Sequence, residues 1–370
     1  MKANKLISNF LKVISASLFL WFLVHFSNNQ TYINYDSIPY TASAYLLQNS
    51  DKKIAHEYSW NLLETKVSPT IFQNLCCSNN YRNSMSKNVE AFYSHLPAYS
   101  TKSGYIFSIR LISDLFEVDE YESMKIISQV SVILITLLAC LYFYNRSIFI
   151  YLGIFPILLI AQLLGLSRLL TPDALIALIF LSSSFLLASN KTVAAYSLMA
   201  FSILLRQINI IFFLMLSLLF IFRQQRIKFF VLASTGMLIY FTNSWYFESL
   251  GYWKHFYSNL IYLPSTFIDF NPEFSFDKFF NLLKTKFLWM LSHNELNRFI
   301  GLVFFNCMVS SFSLTRKIND HKNEILLGAL LSYGIVISYA LFPVPDHRLY
   351  SGVIIASSLL LLSGLSRKLD

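Results

Sequence analysis

Charge is what this chain has least of. Asp, Glu, Lys and Arg make up only 13% of its 370 residues, whereas a soluble domain carries roughly 25%. The deficit is concentrated in long apolar stretches almost free of those four residue types, which excludes an ordinary soluble globular protein. Strict apolar–polar alternation is also missing, which argues against a transmembrane barrel. Cysteine is scarce, with only Cys76, Cys77, Cys140 and Cys307. None sits in a Cys-x-x-Cys or Cys/His ligand spacing, which argues against a structural zinc site. Cys140 and Cys307 fall in apolar spans and read as packing. Cys76 and Cys77 are adjacent in a polar loop, and the sequence leaves their oxidation state open. No internal repeat or inverted symmetry is evident, which weakens a secondary-transporter reading.

What is present is hydrophobic: 55% of the residues are apolar and 17% aromatic, with a mean hydropathy of +0.51. The expectation is an all-α polytopic membrane protein with about ten transmembrane helices. The spans fall near 8–26, 124–144, 148–166, 171–189, 192–205, 208–222, 229–247, 298–314, 325–342 and 351–365. Arg206-Gln207 interrupts the run from Val193 to Phe222, which reads as two short spans or as one broken helix. Lys2 and Lys5 precede the first apolar run without an evident small-residue cleavage site after it, so that run reads as a retained signal anchor.

The net charge of +9 is explained by membrane topology without invoking nucleic acid. Lys2, Lys5, Arg146, Lys191, Arg223, Arg226, Lys228, Arg316, Lys317, Lys322, Arg367 and Lys368 all fall on one side, in short loops and termini. That side is expected to be cytoplasmic, with both termini on it, in a cell inner (cytoplasmic) membrane. The opposite side receives two long external loops, 27–123 and 248–297, and the turns carrying Arg168, Arg206 and Arg348. Each long loop contains an amphipathic stretch expected to lie in the membrane interface. In 104–118 the apolar face is Tyr105, Ile109, Ile112 and Phe116. In 274–291 it is Phe276, Phe279, Phe280, Leu283, Phe287 and Met290. A helix packed on a small external domain is the plainer alternative.

The polar residues with chemistry to offer gather on the external side. Asp36 lies just beyond the first span, within Asn34-Tyr35-Asp36-Ser37-Ile38-Pro39-Tyr40, where Tyr35 and Tyr40 read as interfacial aromatics. It is either a reactive carboxylate or a helix cap. Thr171-Pro172-Asp173 reads as a helix start, with Thr171 as N-cap and Pro172 at the first position. Capping explains Pro172 better than it explains Asp173 beside Arg168 at a membrane boundary, where charges are costly. Arg206 sits between apolar runs and faces either the surface or a polar cavity. In Pro343-Val344-Pro345-Asp346-His347-Arg348-Leu349-Tyr350, Asp346 and Arg348 are close enough to pair with each other. Together Arg168, Arg206 and Arg348 would suit a phosphate or pyrophosphate, because guanidinium forks match phosphate oxygens. A carboxylate beside such a site suits glycosyl transfer: the acid takes a proton from the acceptor while cations stabilise the departing phosphate.

At these positions the chain resembles the GT-C superfamily of polyprenyl-phosphate-dependent glycosyltransferases, as a compact bacterial member without a large C-terminal external domain. Asp36 with Tyr40 resembles that family's first-loop acidic motif. Lys102-Ser103-Gly104-Tyr105 through Phe116-Glu117-Val118-Asp119 resembles its interfacial helix. Thr171-Pro172-Asp173-Ala174-Leu175 resembles a common helix start, Leu205-Arg206-Gln207 a basic break between short spans, and His347-Arg348-Leu349-Tyr350 a late external turn. The layout matches over about residues 8–225. Two departures are visible. Asp36 is followed by Ser37 where many members have a second acid, and the Pro-rich approach to the interfacial helix is reduced to Pro97 and Lys102-Ser103-Gly104.

The resemblance implies a transferase with Asp36 as catalytic base. It implies substrate contacts from Tyr40, Lys102, Arg168, Asp173, Arg206, His347, Arg348 and Tyr350, the basic ones on donor phosphate. The partners it implies are a polyprenyl-phosphate sugar donor, a glycan, lipid or protein acceptor, and the lipid bilayer, but no nucleic acid. No metal ligand is assigned, and although a divalent metal is compatible with this chemistry, the sequence indicates none. Two other readings stay open. One is a surface-polysaccharide polymerase or ligase using a lipid-pyrophosphate donor. The other is a non-enzymatic lipid-sugar flippase or transporter, which would place charges deep within spans. Gln162, Asn243 and Asn306 are the polar span residues, and they read as helix–helix contacts.

Overall fold

A computed structural model describes residues 2–29, 31–292, 294–315, 322–344 and 346–366. It is helical throughout, and its described residues form no strand beyond an isolated bridge between Tyr32 and Leu169. Helix α1 spans Lys2–Asn29. The segment after it, expected as a long loop with one helix near 104–118, is folded into α2 (Ser37–Leu46), α3 (Lys52–Lys66), α4 (Pro69–Cys77), α5 (Asn80–Lys87), α6 (Val89–His95) and α7 (Pro97–Ser100) ahead of the expected helix, α8 (Ser103–Phe116). Short polar residues start several of these helices. Asp51, Ser68, Asn79 and Asn88 each accept a hydrogen bond from a backbone N–H of the first turn, satisfying donors the helix itself leaves orphaned. Tyr40, Trp60, Leu63, Phe92, Tyr99 and Tyr105 form the buried core of this first subdomain. Tyr35 and Tyr40 thus belong to that core: Tyr40 is only 1% exposed, and Tyr35 packs against Trp60 and Tyr81. The interfacial placement expected of them is replaced by aromatic packing.

The bundle follows as α9 (Glu120–Tyr142), α10 (Ile148–Leu152), α11 (Ile154–Ile160), α12 (Leu163–Arg168), α13 (Asp173–Ala188), α14 (Thr192–Leu205), α15 (Ile210–Ser217), α16 (Leu219–Phe222), α17 (Arg226–Tyr246), α18 (Tyr252–Leu260), α19 (Phe276–Ser292), α20 (Asn294–Thr315), α21 (Lys322–Leu341) and α22 (Arg348–Ser366). Among the described residues, four stretches are long and apolar enough to cross a membrane: Lys5–Asn29, Glu120–Tyr142, Asn323–Leu341 and Arg348–Ser366. Five shorter apolar helices, Ile148–Ile160, Asp173–Ala188, Thr192–Leu205, Gln207–Phe222 and Ile300–Ser313, occupy other segments expected as spans. A full crossing takes about 20 residues at 1.5 Å each, so the first four are short for one, whereas Ile300–Ser313 belongs to the 22-residue α20. Helix α17 is long enough but more polar, with Ser234, Thr235, Asn243 and Ser244 along it.

Helix α13 is the hub, packed against α9, α14 and α22. Its contact with α22 is close because Gly352 has no side chain: a Cβ there would lie 2.6 Å from the Cα of Ala177. Gly104 does the same for α8 against Leu204 and Leu205 at the end of α14. Two contacts orient the bundle. The buried Lys12 of α1 donates to the carbonyls of Tyr144 and Arg146 at 2.7 and 2.6 Å, capping the end of α9. At the other end of α1, Asn28 accepts from Gln129 at 2.8 Å, and the amide of Tyr32 donates to the carbonyl of Arg168. Helices α1 and α9 are therefore antiparallel, and the turn after α12 lies at the end where the first subdomain begins.

The two amphipathic helices carry apolar residues on more than one face. In α8, Tyr105 and Ile109 are buried, while Phe107, Leu111, Leu115 and Phe116 are exposed. In α19, Met290 is buried, while Phe276, Phe280 and Phe287 are exposed. Each lays one side on protein and offers a second apolar side outward.

Candidate functional site

The site is assembled by five chain breaks at one end of the bundle: the start of α2, the α7–α8 junction, the turn between α12 and α13, the α14–α15 break and the turn into α22. Asp36 occupies the N-cap position of α2, yet its side chain makes no capping hydrogen bond. Its Oδ1 accepts from the hydroxyl of Tyr99 at 3.2 Å, and its Oδ2 lies 3.3 Å from Nη2 of Arg348. Arg348 is simultaneously bound to Asp346. Its Nε donates to Asp346 Oδ2 at 2.5 Å, and its backbone N–H to Asp346 Oδ1 at 3.1 Å. The local Asp346–Arg348 pair foreseen from spacing does form, but Asp36 shares it. Asp36 and Arg348 each keep 25% of their side chain exposed.

A second ion pair stands beside the first. Nη1 of Arg206 lies 2.6 Å from Oδ1 of Asp173, an ion pair poorly aligned for a hydrogen bond. Asp173 is fully buried and is further bonded by the hydroxyl of Thr171 at 2.6 Å. Thr171 therefore does not cap α13. The helix begins at Asp173 with Pro172 in the N-cap position, because the hydroxyl is committed to the carboxylate. Arg206 holds this place because the chain is extended there, between the end of α14 and a 3₁₀ turn at Gln207–Asn209. Asn209 stabilises the break by donating to the carbonyl of Ser202 at 2.9 Å.

Lys102 completes the group. It precedes α8, and the segment is clamped on both sides by Asn243 of α17, which accepts from Ser103 and donates to the carbonyl of Thr101. The ammonium donates to the hydroxyl of Tyr40 at 2.5 Å and lies 4.9 and 4.8 Å from the ring centres of Tyr40 and Tyr99. No carboxylate among the described residues pairs with it directly. Burial pushes its pKa down to about 8; Asp36 opposes that shift, and Arg206 and Arg348 add to it. All of these charges are therefore within electrostatic reach of one another.

Two histidines stand at the outer rim. The ring of His95 stacks on Phe267 at 4.6 Å, meets Tyr99 edge-on, and its Nδ1 pairs with the hydroxyl of Tyr81. His255 stacks on Phe342 at 5.5 Å. Burial, helped by the charge of Lys102, lowers His95 to about 3 and His255 to about 4, so both are neutral at neutral pH. The His95–Phe267 stack joins the segment after α18 to the first subdomain, and the His255–Phe342 stack joins α18 to the end of α21. The amide of Phe267 donates to Ser94 at 2.9 Å, and Ser94 also bonds Thr266.

Of the residues named from sequence, Asp36, Tyr40, Lys102, Asp173, Arg206 and Arg348 converge. His347 and Tyr350 flank Arg348 on the first turn of α22, with Tyr350 buried. Arg168 ends α12, with its guanidinium 5.3 Å over the ring of Phe26. Tyr99, Tyr105, His95 and His255 were not foreseen. Tyr105 is fully buried, its ring set edge-on against Tyr40 at 5.1 Å, and its hydroxyl has no hydrogen-bond partner. These aromatics carry no motif, and their partners are remote in sequence. Among the described residues no three His, Cys, Asp or Glu side chains are grouped to hold a metal ion. A separate cleft of about 540 Å³ at the end of α17 is lined by Ser244, Trp245, Tyr246, Glu248 and Ser249. It contains no basic residue and is unsuited to an anion. Neither a family model, nor a curated protein, nor a solved structure matches this chain.

Proposed function

We propose that this protein is a glycosyltransferase of the bacterial cytoplasmic membrane. It moves a sugar from a polyprenyl-phosphate donor to a glycan, lipid or protein acceptor at the external face. One observation carries the reading: Asp36 stands where a cap would stand, leaves the capping bond unmade, and turns its carboxylate to Arg348 and Tyr99 beside Lys102. A capping acid would do the opposite. Asp36 takes the proton of the acceptor hydroxyl. Lys102 and Arg348 meet the charge that develops on the departing phosphate, in surroundings dry enough to strengthen both contacts. Arg206 and Asp173 form a buried ion pair beside them, and the packed rings of Tyr40, Tyr99 and Tyr105 hold Lys102 and Asp36 in place.

The test is a lipid-linked sugar profile of cells with and without the protein, together with cells carrying Asp36→Asn. The reading expects a polyprenyl-phosphate sugar to accumulate in the deletion and in Asp36→Asn alike. An unchanged profile in both would remove it.

A further inference from the structure

We infer that the donor phosphate and Asp36 compete for the guanidinium of Arg348, so that Asp36 is released to act as base only once the donor is bound. The inference rests on the transferase reading above and adds an order of events to it. It follows from how unequally Arg348 is held. One edge is fixed: Nε sits 2.5 Å from Asp346, two residues away, and the backbone N–H of Arg348 bonds the same carboxylate. The other edge is loose, with a single contact from Nη2 to Asp36 at 3.3 Å. A guanidinium anchored on one side and weakly engaged on the other is prepared to exchange its weaker partner. The donor's phosphodiester is singly charged like the carboxylate, but its two free oxygens fit the planar fork and can engage Arg348 and the nearby Lys102 together. Lys102 stands near with a second positive charge and no carboxylate bound to it among the described residues.

Asp36 does not need Arg348 to keep its orientation. Oδ1 is held by the hydroxyl of Tyr99, and the ring of Tyr99 is braced edge-on by Tyr40 at 5.4 Å and by His95 at 5.2 Å. Tyr99 is thus a positioning residue, and Oδ2 is the reacting atom. While Oδ2 faces Arg348, one of its lone pairs is given to that N–H and the guanidinium stands across the approach an incoming hydroxyl would take. Once phosphate takes Nη2, Oδ2 is free. The acceptor hydroxyl then gives its proton to Oδ2 and its oxygen bonds the anomeric carbon. The bond from that carbon to the phosphate oxygen breaks, and its electron pair stays on the phosphate, against Arg348 and Lys102. An acceptor arriving before the donor meets Oδ2 still paired with Arg348, which guards the site against idle chemistry.

Binding of farnesyl phosphate, which carries no sugar to transfer, tests this on the full-length protein in nanodiscs. Competition predicts that Asp36→Asn binds the probe more tightly than wild type, by about five- to tenfold. Arg348→Gln should weaken binding, and Asp36→Asn should give no gain in the Arg348→Gln background. Arg348→Lys serves the same comparison if Arg348→Gln does not purify as a monodisperse protein. If Asp36→Asn binds equally or less tightly while the Arg348 variant weakens binding, the competition is refuted and the phosphate site stands. If wild type does not bind the probe, or the Arg348 variants bind it as wild type does, the phosphate site itself is lost, and the competition with it.

Discussion

Asp36 and Lys102 are the two side chains whose surroundings do most to define the site, and each makes a separate prediction. Lys102 is enclosed by Tyr40 and Tyr99 and has its pKa pushed down to about 8 by burial. Below that pH it is charged and binds anions; above it the charge is lost, whereas an ordinary lysine would keep it to about 10.4. Farnesyl phosphate affinity should therefore fall as pH rises through about 8. Lys102→Arg, which stays charged, should remove that fall. Titrating probe affinity against pH in the two proteins checks it; a flat wild-type profile across that pH would show that Lys102 does not contact the phosphate. The charged members of the site were visible in the sequence because a charge stands out in apolar surroundings. Their pairings were not. Asp36 meets Arg348 across most of the chain, and no spacing rule reports a contact of that kind. Tyr99, Tyr105, His95 and His255 gave even less signal, since aromatic residues are abundant here and single histidines carry no pattern.

Individual elements were legible in proportion to their length and regularity. The period of α8 shows plainly in the sequence, and the helix runs from Ser103 to Phe116. Helices α2–α7 were hidden in an expected loop, because each is too short for a clear apolar period and several depend on a single capping residue for their start. The break at Arg206 was visible, but the 3₁₀ turn and the Asn209 bond that shape it were not. Two predictions belong at this scale. Gly352→Ala places a methyl group against the backbone of α13 and should cost about 1–3 kcal/mol, read as a lowered unfolding temperature in detergent. An unchanged temperature would mean that α13 and α22 do not approach this closely. The second concerns the docking of the segment after α18 onto α6. His95 and His255 are lowered to about 3 and about 4, so the folded protein holds them neutral. The unfolded chain takes up protons as pH falls below about 6.5, and the folded one does not until far lower. Stability should thus fall as pH drops below that value. Protease cleavage within 261–275 should speed up on acidification, once corrected for the protease's own pH response. His95→Gln should blunt the increase. Equal cleavage rates at neutral and mildly acidic pH would contradict the docking account.

At the scale of the whole molecule, the chain separates its chemistry from its apolar bulk. The four long apolar helices and their shorter neighbours carry few charges, while the site's ion pairs, His95, His255 and the first subdomain collect at one end. Composition made the helical membrane character legible. The number of crossings was not, because hydropathy marks apolar segments without saying whether each is long enough to span. Topology can be checked with cysteines placed at Lys53 and Tyr262, which should label from outside intact cells, and at Arg146 and Gln225, which should not. Labelling at Gln225 from outside would invert or break the arrangement. The central claim concerns Asp36, and one comparison reaches it most directly: sugar transfer by purified wild-type and Asp36→Asn protein in nanodiscs, supplied with lipid-linked sugars and acceptor membranes from cells lacking the protein. Since Asp36 makes no capping bond and Asn preserves its shape, the variant should unfold at nearly the wild-type temperature. Its transfer rate should drop by roughly 10²–10⁴-fold, the contribution of a positioned base. Full transfer activity in a stable Asp36→Asn protein would contradict the account.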